Sequence, residues 1–413
     1  MAEREKAGGA EQGAELNINL NQEVKRREDE MIRLRRDFHQ HPELSFAEDR
    51  TSRIVADRLE KSGLKVRTQV GKTGVVGILE GNRPGRTVMW RADMDALPLQ
   101  EDPDLLPFHS EIQGVMHACG HDAHTAIGLT VADILARYKN DLPGRVMFVF
   151  QPGEEVGGGA RAMLADGLFK EGGPGGGRPD VTLGLHVGSL FPAGKALVKA
   201  GPLMAAVDTL AMTIRGKGGH AATPHLTIDP VMVACELVVA LQTLVSREVP
   251  PMSAAVLTWG AIHSGTKDNI IPVEAHMMGT LRTFEPEVRR HMLERIETMS
   301  NHLAKAFRAE ATFRVTESLP PVINDAALAA RVWDSAIRAL GTDGVIDGGQ
   351  RMGSEDMSVF MEEVPGCFIT IGAARPGETL RPHHSPLFAM DEICLETGVK
   401  VATQTILDLL PNR

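Results

Sequence analysis

The chain has 413 residues, 43% of them hydrophobic and 24% charged, and a formal charge of −10 from 44 Lys and Arg against 54 Asp and Glu. At roughly 150 residues per domain this is two or three domains with a large core, and the acidic balance argues against nucleic acid and anionic membranes as default partners. No run reaches the roughly 18 uninterrupted apolar residues of a membrane span, and the four cysteines, Cys119, Cys235, Cys367 and Cys394, lie too far apart for a disulfide framework or a C-x-x-C site.

Residues 1–21 read as a flexible polar tail. It lacks the apolar segment of a secretory signal, so the cytoplasm is the default compartment. A helix is predicted over 23–38, stopped ahead of Pro42, and a second over 47–59, ended by Gly63. Strands at 87–90, 145–150 and 181–185 then alternate with helices at 123–138 and from 160. This rhythm predicts a largely parallel α/β sheet. The Gly-rich run at 172–177 has no Lys-Ser/Thr and reads as a surface loop.

From Met204 the rhythm changes. Strands at 207–215, 254–262, 273–283 and 312–316 enclose helices at 229–245 and 286–307, with Asp229 as N-cap and Pro230 at the first helical position. The order β-α-β-β-α-β is the split βαβ, ferredoxin-like unit. After Pro320-Pro321 the α/β character returns, with a helix at 326–340, a strand at 367–371 and a closing helix at 392–410. The expected fold class is α/β: a discontinuous domain over 22–203 plus 317–413, carrying an inserted α+β domain over 204–316.

Chemistry-bearing residues follow the strands of the first domain. Strand 87–90 leads into Arg91-Ala92-Asp93-Met94-Asp95, strand 145–150 into Gln151-Pro152-Gly153-Glu154-Glu155, and strand 181–185 into His186. Ligands of open α/β sheets bind outside the carboxyl ends of strands, so parallel neighbours would aim these groups at one crevice. His117-Ala118-Cys119-Gly120-His121-Asp122 adds a Cys and a His that a turn at Gly120 can bring to one ion. Arg381-Pro382-His383-His384-Ser385-Pro386 offers a fifth ligand from either histidine. Cys, His and carboxylate donors suit zinc, with manganese, cobalt or nickel possible. Five donors exceed one tetrahedral ion and fit two. Such a site lowers the pKa of a bound water to about 7 and polarises a carbonyl. Adjacent residues of the Glu154-Glu155 pair point apart, so one can bind metal while the other serves as general base.

These residues resemble peptidase family M20, the aminoacylase and carboxypeptidase family of two-metal peptidases. They are most similar to its amidohydrolase branch of N-acyl-amino-acid amidohydrolases, hippurate hydrolases and indole-acetyl-amino-acid hydrolases. The resemblance rests on Arg91-Ala92-Asp93-Met94-Asp95-Ala96-Leu97-Pro98, Met116-His117-Ala118-Cys119-Gly120-His121-Asp122 and Phe150-Gln151-Pro152-Gly153-Glu154-Glu155. It extends to Asp37-Phe38-His39-Gln40-His41-Pro42-Glu43-Leu44-Ser45, Gly216-Lys217-Gly218-Gly219-His220-Ala221-Ala222, Gly279-Thr280-Leu281-Arg282-Thr283 and Gly353-Ser354-Glu355-Asp356, and so covers roughly 28–410.

The resemblance implies a two-metal catalytic domain with an inserted lid that commonly forms homodimers or homotetramers. Carried onto this sequence, the metal ligands would be Cys119, His121, Glu155, His186 and His384, the last because the family pattern is His-Ser-Pro. Glu154 matches the general base. Asp95 matches an aspartate that orients a metal-binding histidine in other branches, where Asp93 is replaced by that histidine. His220 matches a residue that reaches a neighbouring active site across a dimer and hydrogen-bonds the oxyanion. Asn269 and Arg282 match positions that hold the substrate's free carboxylate, a task suited to the planar fork of Arg. The family often has Val at Ile270 and an acidic residue at Val273. The implied activity is amide hydrolysis of a small-molecule N-acyl amino acid, with a dipeptidase of the same mechanism as the rival. A zinc deaminase would need P-C-x-x-C, which is absent. A non-catalytic metal-binding scaffold would not need Glu154 and His220.

Overall fold

Residues 18–412 are described in the computed structural model; most of the tail expected over 1–21 lies outside them. Its last two positions are corrected: Leu20 and Asn21 already belong to the first helix, Leu20–Gln40, because Asn19 caps it by accepting from the Gln22 N–H.

The main sheet has eight strands in the spatial order Lys65–Val70, Gly74–Glu80, Pro143–Gln151, Arg83–Asp93, Val181–Pro192, Gly366–Ala374, Ala196–Val198, Val345–Asp347. The four central strands, Pro143–Gln151 to Gly366–Ala374, are mutually parallel. Their sequences are continuous apolar runs, as burial on both faces requires. On one face pack Leu20–Gln40, His121–Arg137 and Ile393–Leu409, around a core including Trp90, Phe148, Ile127 and Leu395. The opposite face carries the short helices Gly159–Ala165 and Met357–Glu363, with Met147, Phe360 and Phe368 buried beneath. The edge hairpin formed by the first two strands is absent from the sequence reading. Lys65–Val70 is mostly exposed and polar, the composition of a protected edge and a weak strand signal.

All four central strands run longer than their expected spans, and one difference moves a site residue. His186, expected just past a strand end, lies inside Val181–Pro192. Pairing with Arg83–Asp93 stops at Arg91↔Gly184, whereas pairing with Gly366–Ala374 continues through Thr370↔His186 and beyond. The strand therefore runs on along one neighbour while its other side opens at His186.

The second sheet has four antiparallel strands in the order Ala255–Ser264, Glu274–Thr283, Ala206–Arg215, Glu310–Leu319. Numbered along the chain this is 2-3-1-4, the ferredoxin-like arrangement. The helices Pro230–Thr243 and Pro286–Ala306 bury Leu237, Leu241, Met292 and Ile296 against it. Asp229 caps the first of them by accepting from the Val231 N–H. Among the described residues, the run Pro230–Glu248 is long and apolar enough to cross a membrane, although only a third of it is buried. One side packs on the sheet; the other leaves Val231, Met232 and Val239 exposed, the last at 70%.

Candidate active site

The site is built on the carboxyl ends of the parallel strands. Asp93 and Asp95 end one strand and follow it; Glu154 and Glu155 follow its neighbour. The turn before helix His121–Arg137 inserts Cys119 and His121 between them. Gly120 takes φ +90°, and a Cβ there would stand 2.4 Å from Val187 Cγ2, so only glycine lets the turn close against the strand.

Donor atoms converge as the sequence suggests, with Cys119 in two groups. Those of Cys119, His121 and His186 lie within 4.8 Å of one another, as do those of Cys119, Glu155 and His384 and those of His121, Glu154 and Glu155. Cys119 Sγ is 3.3 Å from His186 Nε2, and His384 Nε2 is 3.4 Å from Glu155 Oε2. His384 rather than His383 joins the cluster. The His383 Nε2 instead accepts from the Ser189 N–H at 3.3 Å.

Backbone and carboxylate partners fix which imidazole nitrogen faces inward. His121 Nδ1 lies 2.9 Å from the Asp95 carbonyl and 3.2 Å from its Oδ1, leaving Nε2 toward the cluster. The other Asp95 oxygen accepts from Ser45 Oγ at 2.7 Å and the Glu155 N–H at 3.0 Å. Asp95 thus positions a histidine and the carboxylate loop together. His186 Nδ1 is held by the Val187 carbonyl at 2.7 Å.

The charge balance shows what this cluster lacks. Burial opposes charging of His121, yet Asp93, Asp95 and Cys119 hold its imidazole well above the usual value. Burial, with Glu155 beside it, pushes the Cys119 thiol up. Burial and the neighbouring Glu355, Asp356 and Glu155 hold the Glu154 carboxyl well above the carboxylate range. His121 Nε2 and Glu155 Oε1 are buried, 3.9 Å apart, and have no hydrogen-bond partner among the described residues. Orphaned donor atoms of N, S and O type facing one point fit divalent cations.

Two participants escaped the sequence reading. His124, one helical turn after His121, lies in a donor group with Asp93 and His121. Its nitrogens are already used: Nδ1 is 2.5 Å from Asp93 Oδ1, and Nε2 accepts from the Val187 N–H at 2.9 Å. Arg91 is fully buried and donates to Asp93, Glu355, Asp356 and Gln151 at 2.6–2.9 Å. The i, i+3 spacing of the two histidines and the Arg-Ala-Asp and Gly-Ser-Glu-Asp runs were the available signals.

A cavity of about 1140 Å³ opens beside the cluster, lined by Cys119, Glu154, Glu155, His186 and His384 below and by lid residues including Thr280 and Arg282 above. Arg282 donates to the Met352 carbonyl at 2.9 Å. His220 and Asn269 do not line it. They sit together at the lid surface, where strand Gly219–His220 pairs with Ile270–Ile271 and the Ala221 N–H donates to the Asn269 carbonyl.

Residues 89–408 match the model of Peptidase family M20/M25/M40. Thermostable carboxypeptidase 2 of Saccharolobus solfataricus is 37% identical over 93% of this chain and 96% of its own. N-acetyl-L-cysteine deacetylase of Bacillus subtilis is 38% identical over 89% and 85%. The crystal structure of the Bacillus subtilis YXEP protein, a dinuclear metal-binding peptidase from the M20 family, superposes with a TM-score of 0.79 at 33% identity, covering 94% of this chain and 99% of that one. The chain belongs to peptidase family M20 and to its amidohydrolase branch, whose members are metal-dependent hydrolases of amide bonds.

Proposed function

We propose that the protein hydrolyses N-acyl amino acids to a carboxylate and a free amino acid. The observation that carries this reading is the carboxylate pair beside the donor cluster: Glu155 meets His121 and His384, and Glu154 stands next to it in the same cavity with Glu355 and Asp356 as its other neighbours. A relative named for deacetylation of an N-acetyl amino acid supports the substrate class. Cys119, His121, Glu155, His186 and His384 would hold two divalent ions, zinc or manganese ahead of cobalt or nickel. Such ions, when bound, lower the pKa of a water and polarise the scissile carbonyl.

The chain's own groups do the rest. Glu154 takes the proton of the attacking water and returns it to the leaving nitrogen. Asp95 keeps His121 in one tautomer. Arg282, on the lid side of the cavity, would hold the substrate's carboxylate. His220 Nδ1 accepts from the Ala222 N–H at 3.0 Å, so its proton is on Nε2, a donor suited to a developing oxyanion. Because His220 and Asn269 face outward, they would complete the cavity of a second copy. The apolar face of Val231, Met232 and Val239 on the same lid supports a homodimer or a larger homo-oligomer built through that unit.

The deciding assay offers metal-reconstituted protein an acetylated amino acid and the matching dipeptide. Cleavage of the dipeptide alone would establish the rival, dipeptidase reading, which the carboxypeptidase relative favours. Two further outcomes are expected. Cys119→Ala lowers metal content, because Cys119 belongs to two of the donor groups; elemental analysis showing unchanged metal removes it as a ligand. The double substitution Met232→Asp, Val239→Asp yields a folded monomer by sedimentation, with activity lost if His220 serves the partner; an unchanged mass rules out this face.

A further inference from the structure

Arg351 lines the cavity wall, and its charge has no counter-ion among the described residues. Its guanidinium stacks over the Phe191 ring at 4.9 Å from the centroid and donates to Thr370 Oγ1. The Nε is buried without a hydrogen-bond partner. Burial alone shifts the group, downward, with no carboxylate opposing it. An unpaired cation in such a place is costly, and stacking on an aromatic face holds the planar fork ready for a bidentate partner.

The position is fixed rather than incidental. The Arg351 N–H donates to the Leu203 carbonyl at 2.9 Å, and its own carbonyl accepts from Ala205 at 3.1 Å, where the chain crosses into the lid. Thr370, which holds the guanidinium, is the register partner of His186 in the adjacent strand. That sets the residue gripping the arginine one strand spacing, ~4.8 Å, from the strand that carries His186, on the wall of the same cavity. Arg282 enters from the lid and bonds the carbonyl of Met352, the next residue in the chain. A third arginine on the wall, Arg161, is exposed and gives its guanidinium to the Ser318 carbonyl.

The buried carboxylates of the cavity are otherwise engaged. Glu355 is paired with Arg91, Glu155 faces His121 and His384, Glu154 sits among these groups, and Glu317 lies exposed on the lid strand. Among the described residues neither Arg282 nor Arg351 forms an ion pair.

We propose that Arg351 is a specificity-determining residue, and that with Arg282 it forms a two-guanidinium subsite selecting substrates with a second carboxylate on the amino-acid half, the N-acyl aspartate and glutamate class. The inference rests on the amidohydrolase reading above. Both arginines line the one cavity, and Arg282 anchors on the carbonyl next in the chain to Arg351, so a dicarboxylic amino acid could offer one carboxylate to each.

The test compares kcat/KM of the metal-reconstituted enzyme for N-acetylglutamate, N-succinylalanine and N-acetylmethionine. A charge-assisted contact predicts a preference of roughly ten- to a hundredfold for N-acetylglutamate over N-acetylmethionine. Arg351→Gln should collapse that ratio toward one, mainly through KM, and Arg351→Lys should restore part of it. Calorimetry on metal-free protein gives a second readout: glutamate should bind more tightly than methionine, and the difference should vanish in Arg351→Gln. Cleavage of N-acetylmethionine with no dicarboxylate preference, or a preference that survives Arg351→Gln, overturns the inference alone. A preference for N-succinylalanine over N-acetylglutamate overturns the assignment to the amino-acid half. If no N-acyl amino acid is cleaved, the amidohydrolase reading fails, and the calorimetry still decides whether the subsite exists.

Discussion

Glu154→Gln should retain its metal and lose at least roughly two decades in turnover, the usual scale of acid–base catalysis. The substitution keeps shape and hydrogen-bonding capacity and removes only the ability to take and return a proton. Metal retention is expected because the two donor groups around Cys119, with His121 and His186 and with Glu155 and His384, do not use this side chain. A decrease in both metal and rate would instead make Glu154 a ligand. The pH profile separates these further. The acid limb of kcat/KM reports the ionisation of a base in the free enzyme, so it should be missing from the residual activity of the variant. A fully active Glu154→Gln enzyme would sink the mechanism.

The reactive residues were legible because parallel strands are continuous apolar runs, and whatever follows such a run lies at a sheet end. That placed Asp93, Asp95, Glu154 and Glu155 without reference to any relative. It failed at His186, since a strand interior and a strand end look alike when Val187 and Gly188 continue the apolar pattern, and only pairing with Gly366–Ala374 shows that the strand goes on. The lid pattern was equally readable, because alternation in Ala206–Arg215 buries every second residue. His220, Asn269 and Arg282 were singled out by resemblance alone. Nothing local marks a surface loop as functional, and the strand position of Arg282 carries no sign of its reach to Met352. Arg351 lay outside every expectation. An unpaired arginine is defined by the carboxylates that do not approach it, which depends on distant segments meeting in the fold.

Arg91 illustrates the opposite case, a charge whose value comes wholly from its partners, and Arg91→Met is expected to destabilise the fold by about 3–5 kcal/mol, the cost of breaking a buried ion pair from one side. The guanidinium spans Asp93, Glu355 and Asp356 and also bonds Gln151, all buried. Removing it leaves three buried carboxyl groups with only the His121 and His124 imidazoles beside Asp93 to offset their charge. Arg91→Lys should recover little, because one ammonium with three donors cannot reproduce a fork that reaches four acceptors. The carboxyl groups can escape by taking up protons, and this gives the loss a pH dependence with a definite sign. Burial already pushes Asp356 up to about 7 against the pull of Arg91, and its loss can only move that carboxyl further up. A carboxyl whose folded pKa exceeds its unfolded value binds more protons in the native state, so stability falls as pH rises between the two. Urea unfolding of the metal-free variant should therefore show a larger deficit against the parent at pH 8 than at pH 5. A deficit that is constant or shrinks toward pH 8 would mean that Arg91 contributes packing rather than charge, and that the three carboxylates find another partner when it is gone.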